Sequence, residues 1–128
     1  MAVKVLVVDD EPNILMTLEL VLKTQGLEVS TASNGKLAKA LLAQNAFDVV
    51  LTDLSLEIPG GGYDLVRAAR AQANKPATVV FSGFPDLLMN WESEGADAAL
   101  QKPTEVTDLL ATIQRLVLKR ASSSKKRV

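Results

Sequence analysis

Short apolar runs rich in β-branched residues alternate along the chain with longer segments whose apolar residues recur at helical spacing. This alternation predicts strand–helix–strand units, and hence a parallel sheet with crossover helices. Strands are predicted at Val3 to Val8, Glu28 to Thr31, Val49 to Thr52, Thr78 to Phe81 and Ala98 to Gln101. Several are nearly continuous in apolar residues, as strands are when both faces of a sheet are covered. Ile14, Leu15, Leu18, Val21 and Leu22 form the stripe of a first helix, opened by Pro12 near its first turn and closed by Gly26. Leu37, Ala40, Leu41 and Leu42 mark a second helix, Leu65 to Ala71 a third, Leu87 to Trp91 a shorter fourth and Leu109 to Leu118 a fifth.

Five consecutive units form either an open doubly wound sheet or part of a barrel, and 128 residues are too few for an eight-unit barrel. The pattern assigns residues 1–120 to one α/β domain. Residues 121–128, Ala-Ser-Ser-Ser-Lys-Lys-Arg-Val, lack periodicity and are expected to be a flexible basic tail or a linker stub. The apolar run before Asp9 is far too short to span a bilayer, so a soluble cytoplasmic protein is the expectation.

Composition narrows the chemistry. The chain has no cysteine and no histidine, which removes disulfides, thiolate nucleophiles, imidazole bases and a phosphohistidine of its own. Carboxylates, hydroxyls and lysines remain. Lys125, Lys126 and Arg127 supply three of 14 basic residues against 15 acidic ones, so the body is mildly acidic and the end basic. Nothing gathers basic and aromatic residues on one face, which argues against direct nucleic-acid binding.

In an open sheet, ligands bind beyond the carboxyl ends of the strands, where the winding direction reverses. There the chain places Asp9-Asp10 after the first strand, Asp53 after the third, Ser82 after the fourth and Lys102 after the fifth. Each has an ordinary explanation when taken singly: Asp9 and Asp10 as helix caps, Asp53 as a solvated loop carboxylate, Ser82-Gly83 as a turn, Lys102 as a surface charge. Together they form a consistent set. Carboxylates about 4 Å apart repel by roughly 4 kcal/mol at an effective dielectric of about 20, so such a cluster requires cations. A divalent metal and the Lys102 ammonium would supply them and would then neutralise an arriving phosphoryl group.

With these residues in place, the chain resembles the receiver domains of two-component signalling, over Val3 to Leu118. Three stretches carry the resemblance: Val-Leu-Val-Val-Asp-Asp-Glu at 5 to 11, Asp-Val-Val-Leu-Thr-Asp-Leu at 48 to 54, and Gly-Ala-Asp-Ala-Ala-Leu-Gln-Lys-Pro at 95 to 103. The resemblance implies a flavodoxin-like five-stranded sheet in the order 2-1-3-4-5. It implies Asp53 as phospho-acceptor, Asp10 as a direct ligand of Mg²⁺ or Mn²⁺, Asp9 as an acidic partner, and the Ser55 backbone carbonyl as a further metal ligand. Ser82 and Lys102 would bind the phosphoryl group, and the Lys102–Pro103 peptide would be cis. A histidine kinase or histidine phosphotransfer protein would be the donor, and an unknown downstream protein, or a second copy of the chain, the output partner. Membrane and nucleic-acid partners are not implied.

Three departures from the family pattern stand out. The loop after Asp53 delays its proline to Pro59 and is one residue longer, ending in Gly60-Gly61-Gly62, which fits either a mobile loop or a harmless insertion. The stretch from Ser82 to Lys102 is two residues short, so the fourth helix starts early, near Phe84-Pro85. Ala99 occupies the position of the family's switching aromatic, and output is expected to pass instead through Phe84 to Leu88. Three other functions compete with this one. An aspartate-nucleophile phosphohydrolase lacks its second carboxylate here, because the acceptor reads Asp53-Leu54-Ser55. A phosphorylation-independent interaction module and an excised receiver of a longer transcriptional or enzymatic regulator are the other two.

Overall fold

The interior positions of the predicted strands fill a central sheet in the computed structural model, which describes residues 2–126. Its strands are β1 (Lys4–Val8), β2 (Glu28–Ala32), β3 (Val49–Asp53), β4 (Ala77–Ser82) and β5 (Ala98–Gln101), all parallel, in the order β2-β1-β3-β4-β5. The crossovers are α1 (Pro12–Thr24), α2 (Gly35–Gln44), α3 (Gly62–Arg70), α4 (Pro85–Leu88) and α5 (Val106–Lys126). This is the doubly wound α/β fold and strand order expected from the sequence. Among the described residues no helix is long and apolar enough to cross a membrane.

The period-two alternation of each strand sends its side chains to two cores. On one face Val5, Val7, Val49, Leu51, Ala77, Val79 and Phe81 pack with Leu22 of α1 and with Leu109, Ile113 and Leu116 of α5. On the other, Leu6, Val8 and Val50 meet Ala38 and Leu42 of α2 and Leu65 and Ala69 of α3. A third cluster, Leu54, Tyr63, Val66, Val80 and Ala96, lies between α3 and α4, with Leu87, Leu88, Trp91 and Ala99 against it. Trp91 is therefore a packing residue. Winding reverses between β1 and β3, so the carboxyl ends of those strands open the crevice in which a ligand is expected.

Two helical boundaries differ from those predicted. The fourth helix spans Pro85–Leu88 rather than Leu87 to Trp91. Proline pre-sets its first turn, while Met89 to Gly95 close in successive turns because too few residues remain for a longer helix before β5. The fifth helix reaches Lys126, so the backbone from Ala121 to Lys126 is helical rather than an unstructured tail. Its last turns carry no apolar stripe, the signal on which the boundary at Ala121 rested, yet serine and lysine are compatible with a helix that tertiary packing has already nucleated. The two final tail positions, Arg127 and Val128, lie outside the described residues.

Candidate functional site

The same alternation that builds the α1–α5 core aims the chemistry. Asp9 continues the side-chain parity of Val5 and Val7, Asp53 that of Val49 and Leu51, and Lys102 that of Ala98 and Leu100, so all three emerge at the carboxyl end of one sheet face. Carboxylate oxygens of Asp9, Asp10 and Asp53 lie within 4.8 Å of one another. Asp9 is wholly buried, Asp53 nearly so, and Asp10 is exposed.

Local hydrogen bonds hold these groups in place. The Asp9 amide donates to the Ala32 carbonyl, extending the β1–β2 ladder by one step. Asp9 Oδ1 accepts from the Glu11 amide at 2.9 Å, but Glu11 is itself the N-cap residue of α1 and no side chain caps that helix, so neither aspartate takes the capping role; Asp9 Oδ2 faces Lys102 Nζ at 3.2 Å. Asp53 Oδ1 accepts from the Ser55 amide at 3.1 Å, and its Oδ2 lies 3.4 Å from the same ammonium. One lysine thus bridges carboxylates from two strands. Its ammonium also sits 4.6 Å from the centroid of the Phe81 ring.

Burial pushes the Asp9 carboxyl above its ordinary range; the Glu11 amide and the Lys102 ammonium pull it back, and the Asp53 charge raises it again. Three carboxylates facing one ammonium leave the pocket electrically unbalanced. Hard oxygens converging with surplus negative charge fit a dication of the Mg²⁺ class, and nothing in the donor set favours a softer metal.

Ser82 is fully buried, but on the opposite pleat from Phe81. Its hydroxyl oxygen accepts from the Phe84 amide at 3.0 Å and lies 3.4 Å from the Phe84 carbonyl, so the group is engaged with the loop leading to α4. The Lys102 amide donates to the Ser82 carbonyl at 2.9 Å, which locks serine and lysine to adjacent strand ends. The Lys102–Pro103 peptide is cis. Ala99 pairs in register with Val80 and packs on the α3–α4 side, so position 99 itself contributes no ring there.

The lengthened loop is folded. Leu54 and Leu56 are buried, the Gly62 amide donates to Leu54, and the Gly61 amide to Ile58. Gly60 has φ of 80°, and a Cβ on Gly62 would run into the Asp53 carbonyl, so these two glycines permit the path. Three contributors escaped the sequence reading. Glu57, itself at φ 68°, accepts from the Gly35 amide at 2.6 Å and so caps α2. The Tyr63 hydroxyl donates to the Leu87 carbonyl at 2.6 Å, tying α3 to α4. Phe81 lies beneath the lysine. Strand parity contained the signal for Phe81; the other two depend on contacts across the fold that no local pattern encodes.

Comparison with known proteins agrees with this geometry. The family model described as response regulator receiver domain matches residues 5–114. The chain is 33% identical over 124 residues to the transcriptional regulatory protein PrrA of Mycobacterium tuberculosis, covering 94% of this chain and 52% of that protein. It is 37% identical over 118 residues to the response regulator protein PilR of Pseudomonas aeruginosa, covering 88% of this chain and 26% of that protein. The chain thus spans about half, or less, of these curated relatives. Among solved structures, the signal receiver domain of a response regulator from Bermanella marisrubri superposes with a TM-score of 0.83 at 34% identity, covering 91% of this chain and 99% of that one. The chemotaxis response regulator CheY4 of Vibrio cholerae superposes with a TM-score of 0.81 at 30% identity, with coverage of 91% and 99%.

Proposed function

The chain belongs to the response regulator receiver domain family, and from that premise we propose that it accepts a phosphoryl group on Asp53 and signals by changing a protein-binding surface. Receiver domains are signalling domains rather than turnover enzymes. The observation that carries the assignment is the bridging of Asp9 and Asp53 by Lys102 at 3.2 and 3.4 Å beside the exposed Asp10. Such an arrangement joins a nucleophilic carboxylate to a fixed positive charge at the switch point of the sheet.

On this reading Asp9, Asp10 and Asp53, with the Ser55 carbonyl, hold Mg²⁺ or Mn²⁺, which when bound supplies charge neutralisation for phosphoryl oxygens. Asp53 Oδ2 attacks phosphorus while the phosphorus–nitrogen bond of a donor phosphohistidine breaks, its electron pair returning to the imidazole. The donor belongs to a histidine kinase or histidine phosphotransfer protein, since this chain contains no histidine. Lys102 neutralises a phosphoryl oxygen, and the Ser82 hydroxyl leaves Phe84 to donate to another. That movement is the link to α4, because Ser82 and Phe84 share hydrogen bonds in the present state.

Incubation with acetyl phosphate and Mg²⁺, followed by intact mass measurement, tests the proposal. One phosphate adduct is expected on the parent protein and none on Asp53→Asn. A folded parent that takes no adduct would favour a second reading, a phosphorylation-independent interaction module, for which Ala99 is the supporting observation.

A further inference from the structure

We propose that Phe81 is a positioning residue for phosphoryl transfer, its ring face holding the Lys102 ammonium over the Asp53 carboxylate. The inference rests on the reading of Asp53 as acceptor and Lys102 as the cation that meets the phosphoryl group.

Sheet register places the ring. Asp53 of β3 pairs with Phe81 of β4, and Phe81 pairs with Leu100 of β5, two residues before Lys102. Residues paired in this way project from the same face, so the ring stands between the acceptor carboxylate and the strand that delivers the lysine. Phe81 is 6% exposed and belongs to the α1–α5 core with Leu51, Val79, Leu109 and Ile113, which leaves its ring little freedom to turn.

Lys102 is the freer partner. Its side chain has four rotatable carbons and is 24% exposed, so solvent competes for the ammonium. Contacts to Asp9 and Asp53 lie on the acidic side of the pocket; the ring at 4.6 Å supplies a third point of attachment. A ring face carries partial negative charge and attracts an ammonium within about 6 Å of its centroid. A leucine would fill similar space without that charge. Lys102 is therefore placed before the phosphoryl group arrives, and little reorganisation is left for the transfer step.

Site-specific incorporation of phenylalanines bearing one, two and three fluorines at position 81 tests this, because fluorine weakens the face charge while leaving the ring's shape nearly unchanged. The initial rate of Asp53 phosphorylation by acetyl phosphate should fall stepwise, by about threefold to tenfold over the series, with thermal stability unchanged. In metal-free protein the Lys102 ε-methylene signals should be shifted upfield by the ring current and should return toward ordinary positions in Phe81→Leu. Equal rates across the series, or ε-methylene signals already at ordinary positions in the parent, would overturn the role of the ring while leaving Asp53 as acceptor. Absence of any adduct on the parent would overturn the underlying assignment, and the proposal with it.

Discussion

Replacing Lys102 with methionine isolates the electrostatics of the pocket, because methionine keeps a flexible apolar stem against Phe81 and removes only the ammonium. The gross attraction follows from the distances. At 3.2 and 3.4 Å, and at an effective dielectric of about 20, each carboxylate gains about 5 kcal/mol from the lysine. Desolvation of the wholly buried Asp9 offsets much of this, and removing one member of a buried pair typically costs about 3–5 kcal/mol. Two features reduce the figure here: the lysine is partly solvated, and Asp9 has an escape. Its carboxyl is already raised by burial, and loss of the lysine removes one of the influences lowering it. Asp9 then binds a proton more readily in the folded state than in the unfolded one, so the folded variant gains relative stability as pH falls through the raised value. The expected loss for metal-free Lys102→Met is about 2 kcal/mol near neutral pH, shrinking toward acid pH and in saturating Mg²⁺. Mg²⁺ should bind the variant at least as tightly as the parent, since the ammonium competing for the same oxygens is gone. Urea unfolding followed by the fluorescence of Trp91, the sole tryptophan, with and without a chelator, measures all of this. A metal-free variant as stable as the parent, or a deficit that Mg²⁺ leaves untouched, would refute the reasoning.

Other substitutions probe the structure around the pocket. Gly62→Ala drives a Cβ into the Asp53 carbonyl and to 2.9 Å from Leu54 Cα, both backbone atoms; a loss of about 2 kcal/mol or more, with slower adduct formation, should appear in urea unfolding and intact mass. Tyr63→Phe removes a half-buried hydroxyl bond to the Leu87 carbonyl and should cost about 1 kcal/mol. The phenol is raised by burial and by Glu94 from an ordinary 10.0, so its contribution is complete below that pH and is lost as pH rises through the raised folded value. The parent's alkaline stability curve should therefore slope downward more steeply than that of Tyr63→Phe; parallel curves would contradict this. Glu57→Gln keeps an acceptor for the Gly35 amide but loses the charge at the α2 N-terminus, and should lower stability by about 0.5 kcal/mol with Mg²⁺ affinity unchanged in titration calorimetry.

The sequence was most legible where one periodicity governed a whole element. The strand interiors at Val5 to Val8, Val49 to Thr52 and Val79 to Phe81 could be read because burial on both faces leaves little room for polar residues, and the observed ends differ by only a residue or so. Pro12 marked the start of α1 for the same kind of reason, a backbone constraint written in one residue. Legibility failed where that governance lapsed. Four residues of α4 are too few to show a period. Ends that do not continue the apolar period carry α5 beyond the stripe from Leu109 to Leu118 in both directions, to Val106 and to Lys126, so pattern alone gives too short a helix.

The pocket divides along the same line. Asp9, Asp53 and Lys102 could be assigned to one crevice because each terminates a strand of known parity, and a parallel sheet brings such ends together whatever lies between them in sequence. Glu57 could not, because its partner is a backbone amide of Gly35 reached through a left-handed turn, and neither fact leaves a trace in neighbouring residues. The two cases bear differently on the atypical loop. An insertion with no anchor would leave Asp53 on a loose tether. This one buries Leu54 in the α3–α4 cluster and Leu56 in the α2–α3 cluster, and it fastens Glu57 to α2 between them. These anchors hold the loop against α2 and α3, and Asp53 stays within reach of Lys102 at 3.4 Å. The loop is fastened through Leu54, Leu56 and Glu57, none of which is among the carboxylates that face Lys102, and that separation lets this β3–α3 connection take its own course while Asp53 keeps its contact with the ammonium.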